Sequence, residues 1–129
     1  MKRVAKMVTQ WTHFSDADLW CVVLPLRLVS EANQRGHWRV SVARKKLQRT
    51  TCRVIAMGCS VPREKVRRVL IVRMAPRLLD TDNAVGSAKA CRDGIADAFG
   101  RGDGPSCGIE WTVKQQQGPL YGVHIVVST

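Results

Sequence analysis

Three aspartates, Asp80, Asp82 and Asp103, stand out in a chain of 129 residues that carries a formal charge of +11. Residues 1–79 hold 17 Lys and Arg against four Asp and Glu, whereas residues 80–129 hold four against six. A basic surface attracts a polyanion, but an acidic cluster within that surface repels it unless a divalent cation lies between them. The pattern therefore predicts a metal-dependent nuclease in which these three carboxylates are the metal ligands.

The sharpest motif is Asp80-Thr81-Asp82-Asn83. In an extended segment the two carboxylates point the same way, with their Cα atoms about 6.5–7 Å apart. That spacing suits two oxygen ligands of one hard cation, or a pair of ions about 3.5–4 Å apart. The alternative is a helix start, in which Asp82 or Asn83 caps the helix and Asp80 is merely exposed.

The helix predicted at residues 83–99 has two distinct faces when it is drawn at about 100° per residue. Gly86, Lys89 and Asp93 lie within about 40° of Asp82, and the glycine leaves space for a bulky group to approach. The alternative for Lys89 and Asp93 is an ordinary (i, i+4) ion pair on a solvated face. The opposite face is the predicted core stripe and consists of Ala84, Ala88, Cys91, Ile95, Ala98 and Phe99.

Asp103 lies in a glycine-rich loop, within the run Arg101-Gly102-Asp103-Gly104-Pro105. In a compact fold this loop can return towards the acidic motif and complete the set of three ligands. The alternative is a turn aspartate, because Asp-Gly is a strong turn signal.

Length and composition narrow the class of protein. A chain of this length forms one domain, and an apolar content of 45% is enough for a real core. The isoelectric point near 10.2 indicates nucleic acid or another anionic surface as the partner. With four Trp, two Phe and one Tyr, the chain has too few aromatic residues to stack a row of bases.

The cysteines and histidines predict no metal site of their own. Five cysteines, an odd number without a two-residue spacer, argue against a zinc ribbon or a disulfide framework and favour reduced thiols in a cytoplasmic protein. His13, His37 and His124 are isolated from one another and are predicted to be structural. No membrane contact is expected, since the apolar run at residues 19–29 is far below the ~20 residues of a spanning helix.

The pattern of apolar residues predicts strands at residues 19–29, 66–74, 107–113 and 121–127, with helices at 37–57 and 83–99. The last two strands are predicted to form a hairpin with its turn at residues 115–119. Residues 1–18 are predicted to be an extension or a poorly ordered arm. The order of elements predicts one α+β domain at residues 19–129, with a small mixed β-sheet and two main helices.

The first helix combines apolar and basic residues. Its apolar side chains recur at helical spacing at Val40, Ala43, Leu47, Val54 and Ile55. Basic residues of this helix and of the beginning of the second predicted strand are the candidate phosphate contacts, and the alternative for each is a solvated face. They are Arg44, Lys45, Lys46, Arg49, Arg67 and Arg68.

Taken in order, these residues resemble the RusA family of Holliday-junction resolvases, in the prophage type of endodeoxyribonuclease. The resemblance covers roughly residues 23–128. It is carried by Leu28-Val29-Ser30-Glu31-Ala32-Asn33 before Gly36-His37-Trp38-Arg39, by Leu78-Leu79-Asp80-Thr81-Asp82-Asn83, by Lys89-Ala90-Cys91-Arg92-Asp93-Gly94-Ile95, and by the Gly-Asp-Gly loop before Ile109-Glu110-Trp111.

The resemblance implies a RusA-like α+β fold and a homodimeric endonuclease that depends on Mg²⁺, with Mn²⁺ as a substitute. Such an enzyme resolves four-way DNA junctions by paired, symmetric nicks in recombination and repair. The acidic pair of the family corresponds to Asp80 and Asp82, its later acid to Asp103 and its essential lysine to Lys89. Two departures are Gly102, which stands where members often have another acid, and a longer gap between Asp82 and Lys89.

Each residue of the expected site has an assigned role. Asp80, Asp82 and Asp103 hold the metal, and Lys89 stabilises charge that develops on the phosphate. Asp93 and Asn83 are expected to orient these groups without binding the metal themselves.

Three other functions fit part of the sequence. One is a non-catalytic basic DNA-binding module whose acids only cap a helix, and another is a RusA-like protein that is inactive or cuts other branched DNA. A ribosomal type of RNA-binding protein fits the charge but leaves the three aspartates unexplained.

Overall fold

In the part of the chain that the computed structural model describes, residues 10–30, 38–102 and 107–129, three α-helices lie on one face of a five-stranded sheet. This arrangement confirms the predicted α+β class. The elements in chain order are β1 (Thr12–Phe14), β2 (Leu19–Leu24), α1 (Trp38–Met57), β3 (Arg68–Ala75), α2 (Thr81–Ser87), α3 (Lys89–Phe99), β4 (Glu110–Gln117) and β5 (Gly122–Ser128). Short 3₁₀ helices cover Ser15–Ala17 and Arg63–Lys65.

The strand order is β1-β2-β5-β3-β4, and only the β3–β4 pair is parallel. The predicted hairpin of the last two strands is therefore wrong, because β5 inserts between β2 and β3. Alternating buried residues suit β5 to a central position, where Val123, Ile125 and Val127 lie in the core. The polar β4 ends in three glutamines, and it takes the edge, where one side of the strand stays open.

Several strand boundaries differ from the prediction. β2 ends at Leu24 rather than at residue 29, because Pro25 has no N–H to donate to the sheet. β4 begins at Glu110 and runs through Gln117, so the connection to β5 lies at residues 118–121 and not at 115–119. Within the expected N-terminal extension, β1 pairs with β2 in the register Thr12↔Cys21, while residues 1–9 lie outside the described residues.

The second predicted helix is divided at Ala88 into α2 and α3. Gly86 has low helix propensity, and the Ser87 hydroxyl donates to the Ala84 carbonyl at 2.7 Å, a local bond that competes with regular helix geometry. The predicted core stripe is nonetheless confirmed, since all six of its residues are buried.

Helix α1 has the predicted length, but it buries a different face. Its interior residues are Gln48, Cys52 and Ala56, whereas the apolar Leu47 and Val54 are exposed. The reason lies in the close crossing of α1 with α3, where a Cβ on Gly94 would overlap the carbonyl oxygen of Arg49. Helices this close need small side chains between them, and larger apolar residues are left on the outside.

Two further expectations concern the cysteines and the membrane. All five cysteines are free thiols, and Cys52 and Cys91 lie fully buried in the core. A hydrogen bond with Cys91, together with burial, raises the pKa of Cys52 far above its usual range, so this thiol stays neutral. No helix among the described residues is long and apolar enough to cross a membrane.

Candidate active site

The acidic pair lies at the start of α2, directly after the connection from β3. Asp80 occupies the N-cap position with extended backbone angles (φ −57°, ψ 152°), and Asp82 lies in the first turn. The motif is therefore not extended across both residues, and neither Asp82 nor Asn83 is the cap. The Asp80 side chain makes no capping hydrogen bond, and both carboxylates are exposed. Capping thus does not use the carboxylate of Asp80.

A buried arginine and a glutamine fix the segment that leads into Asp80. Gln115 of β4 donates through its amide nitrogen to the Leu79 carbonyl at 2.7 Å and accepts from the Leu79 N–H at 2.8 Å. Arg73 of β3 donates to the Arg77 carbonyl at 2.8 Å and to the Gln115 side chain at 3.3 Å. Leu79 directly precedes Asp80, so these bonds set where α2 begins.

Arg73 has an unusual environment for a charged residue, because it is only 4% exposed. Burial lowers its pKa from the ordinary value. Its three hydrogen-bond partners are neutral oxygens, and one of them is the Leu28 carbonyl, which accepts from Nε at 2.9 Å. A buried charge is costly unless its donors are satisfied, so the three bonds of Arg73 hold the loops around it in place.

A cleft of about 640 Å³ separates α1 from the α2–α3 pair. Gly86, Lys89 and Asp93 line one wall, whereas Asp82, which was predicted on the same helix face, is not among the lining residues. No atom lies within 4 Å of a Cβ placed on Gly86, so the cleft is open there. The remaining lining residues are Lys45, Lys46, Gln48, Arg49, Ser87 and Ala90.

Lys89 and Asp93 form an ion pair with Nζ and Oδ1 2.7 Å apart. The (i, i+4) ion pair between these two residues, which the sequence offered as the alternative, is therefore confirmed. The pair lies at the cleft and not on a remote solvated face, and Asp93 holds the ammonium group at the wall of the cleft.

The predicted basic residues divide into two groups. Lys45, Lys46 and Arg49 line the cleft, and Arg49 also makes a paired contact with Asp97, with Nε 2.7 Å from Oδ2. That hydrogen bond lowers the pKa of Asp97. Arg44 is a half-buried residue of α1 and does not line the cleft.

Arg67 and Arg68 lie away from the cleft, at the beginning of β3. Arg68 pairs with Glu110 at 3.4 Å, and Arg67 donates its N–H to the Ser128 carbonyl. Gln115, which binds Leu79, is the register partner of Arg73. Five strand steps of about 3.3 Å therefore place Arg68 about 16 Å along the strand from the level of the acidic motif. Arg67 lies with Lys65 on a second surface, which also includes Glu64 and Thr129.

Asp103 lies outside the described residues, but the residues that flank its loop are described. Arg101 donates to the carbonyls of Val66 and Cys107 at 2.6 and 2.5 Å, which fixes both ends of the loop beside the start of β3. The acidic pair follows the other end of β3. The described residues of one chain therefore do not bring the loop ends next to Asp80 and Asp82.

Among the described residues, no three His, Cys, Asp or Glu side chains lie close enough together to hold a metal ion. His13 stacks on Trp20 with ring centroids 4.1 Å apart, and His124 lies in β5, so both have structural surroundings. His37 lies outside the described residues.

Sequence reasoning missed Arg73 and Gln115. The sequence did carry a signal for Arg73. After Arg68, it is the one charged residue in strand β3, and the other residues there are apolar. A charged residue at a core-facing strand position predicts a buried hydrogen-bond network. Gln115 gave no comparable signal, because it lies among three consecutive glutamines.

No protein-family model matches the chain, and no curated protein matches it either.

Proposed function

We propose that this protein is a Mg²⁺-dependent, structure-selective DNA endonuclease that resolves four-way junctions by paired nicks. The observation that carries the proposal is the basic cleft between α1 and α2–α3. It lies beside α2, which has Asp80 at its N-cap and Asp82 in its first turn. Gly86 follows Asp82 by four residues, about 6 Å along a helix axis, so phosphate in the cleft and metal at the acids are neighbours.

The basic side chains of the cleft hold the sugar-phosphate backbone. Lys45 and Lys46 face the cleft from α1 and Lys89 faces it from α3. Contacts of this kind position DNA without reading its sequence, so the shape of the junction selects the substrate. Arg49 contributes less, because Asp97 already neutralises part of its charge.

Lys89 is the residue that meets the phosphate at the reaction centre. Its ion pair with Asp93 keeps the ammonium group in one position before DNA arrives. Charge that develops on the non-bridging oxygens is then stabilised by a group that is already in place, an effect worth roughly 10²–10³ in rate.

The donor set at the start of α2 fits a hard divalent cation. Carboxylate oxygens are the ligands that Mg²⁺ takes in proteins, and Asp80 and Asp82 present two of them without a capping bond at Asp80. Asp103 is the proposed third ligand, and Asn83 lies half-buried beside the pair, where it orients them. When bound, the ion offsets repulsion between carboxylate and phosphate and lowers the pKa of a bound water.

The proposed homodimer is supported by the face of the sheet that the helices leave open. An antiparallel sheet with one wet face normally alternates apolar and polar residues. Here the outward positions of the three central strands are largely apolar, in rows given by the register: Leu19, Cys21, Val23, Leu70, Val72, Met74 and Val126. Few charges lie among them, so two copies of a +11 chain can pack these faces together without strong repulsion.

A substrate panel tests the proposal. A labelled four-way junction, a flap and a linear duplex of equal length are incubated with the protein over a Mg²⁺ titration, and binding is measured separately in EDTA. The proposal predicts cleavage of the junction in symmetric pairs of nicks. Binding without cleavage at every Mg²⁺ concentration would instead establish a non-catalytic DNA-binding module, and preferred cutting of the flap would establish a nuclease for other branched DNA.

A further inference from the structure

Helix α1 carries an apolar seam on its outer surface that nothing in the described structure covers. The seam consists of Val40, Ala43, Leu47, Thr50, Val54 and Met57, which follow alternating steps of three and four residues. Val40, Leu47 and Val54 are 62%, 63% and 57% exposed. This is the spacing of the a and d positions of a two-helix coiled coil, maintained over five turns.

The seam is separate from both surfaces already described. The interior face of α1 is formed by Gln48, Cys52 and Ala56, and its cleft face by Lys45 and Arg49. Large apolar side chains in a row on a helix surface are typical of a helix that docks against another helix.

Charge determines what kind of helix fits. Helix α1 holds six Lys and Arg and no Asp or Glu. The positions that flank the seam along one edge are Arg39, Lys46 and Arg53, at intervals of seven residues.

A second copy of α1 does not fit the seam. In an antiparallel pair Lys46 would face Lys46 of the second copy, and Arg39 would face Arg53. In a parallel pair Arg39 would face Arg44, so each arrangement places like charges opposite each other.

We propose that the seam binds an acidic amphipathic helix of a partner protein. Apolar residues of that helix fill the seam, and Asp or Glu at its flanking positions pair with Arg39, Lys46 and Arg53. This interaction needs neither DNA nor metal, so its test does not depend on whether the protein is a nuclease. Because Lys46 also lines the cleft, the bound helix lies beside the path proposed for DNA.

The probe for this site is a synthetic, fluorescently labelled peptide of three heptads, about 21 residues, with Leu at a and d and Glu at e and g. Fluorescence anisotropy measures its affinity for the full-length protein in EDTA. We expect micromolar binding. A peptide with Lys at e and g, and a peptide with Glu there but Ala at a and d, are each expected to bind at least about tenfold more weakly.

Matched variants locate the site. The double variant Leu47→Asn, Val54→Asn is expected to weaken binding of the Glu peptide at least about tenfold, with an unchanged melting temperature because both side chains are exposed. Leu120→Asn, at an apolar residue that is exposed elsewhere, is expected to bind normally.

Three outcomes would overturn the proposal. The first is equal affinity for the Glu and Lys peptides, and the second is undiminished binding by the double variant. The third is a wild-type dimer in sedimentation velocity that the double variant converts to a monomer, since a second copy would then be what covers the seam.

Discussion

The residues that make this site are held by partners that local sequence rules do not reveal. Lys89 and Asp93 were accessible to prediction, because an (i, i+4) pair depends only on helix geometry. The partner of Arg73 was not, because Gln115 lies 42 positions away in sequence, across a parallel strand pair. The same holds for Asp80, whose place at the start of α2 depends on how Gln115 binds Leu79.

Gln115→Leu tests that positioning role. The change leaves the N–H and the carbonyl of Leu79 without their partner, which costs about 1–3 kcal/mol of unfolding free energy. We also expect a higher Mg²⁺ concentration for half-maximal cleavage, because Asp80 loses its fixed position. Urea denaturation and a metal titration of junction cleavage measure the two effects. The adjacent Gln116→Leu, at an exposed position, is the matched control, and equal behaviour of the two variants would contradict the role of Gln115.

At the scale of elements, the helical period of the apolar residues was predictable, but the strand boundaries and the packing partners were not. The helix over residues 38–57 and the core stripe of α2 and α3 follow from local spacing and propensity. The place of β5 between β2 and β3 depends on contacts distant in sequence, so the hairpin suggested by neighbouring strands was wrong. The buried face of α1 was also missed, since the close approach at Gly94 outweighs the apolar pattern.

Replacing either of two helix glycines by alanine is expected to change the stability in opposite directions. Gly94→Ala forces a methyl group onto the Arg49 carbonyl and is expected to lower the unfolding free energy by about 1–3 kcal/mol. Gly86→Ala meets no atom within 4 Å and is expected to raise it by about 0.4–1 kcal/mol, by restricting the unfolded chain. Urea denaturation of both variants measures the difference, and equal destabilisation would contradict the described crossing of α1 and α3.

At the scale of the whole molecule, the proposed acids belong to two separate places in the fold. The ends of the Asp103 loop are fixed by Arg101 beside the start of β3, whereas Asp80 and Asp82 follow its other end. The parallel β3–β4 pair places the described residues that flank the loop and the acidic pair at opposite ends of β3. The convergence of the three aspartates stays a prediction, because Asp103 lies outside the described residues. The proposed homodimer gives the acids a second way to meet, across two copies.

Val23→Glu tests the dimer surface. Val23 lies on the open face of the sheet and is 40% exposed, so a charge there leaves the fold intact but opposes packing of two such faces. Sedimentation velocity is expected to show a dimer for the wild type and a monomer for this variant. Val54→Glu on α1 is the control and is expected to remain dimeric. A wild-type monomer at high micromolar concentration would exclude the surface.

Mixing two inactive variants tests whether the acids of a site come from two chains. Asp82→Asn and Asp103→Asn are each expected to lack cleavage. In an equal mixture that exchanges subunits, about half of the dimers are mixed, and each of these regains one complete set of acids. Partial recovery of single nicks on a junction is the expected result. Absence of recovery, with subunit exchange verified, would place all three acids of a site within one chain.

The central claim is that the acids at the start of α2 serve cleavage and not DNA binding, and Asp82→Asn tests it most directly. Junction affinity is measured by mobility shift in EDTA, and cleavage of the same junction is measured in Mg²⁺, with Asp16→Asn as an exposed control. The account predicts affinity that is unchanged or tighter, because a repelling charge is lost, with cleavage reduced at least about 10²-fold. Cleavage by the Asp82→Asn variant at the rate of the wild type would contradict the claim.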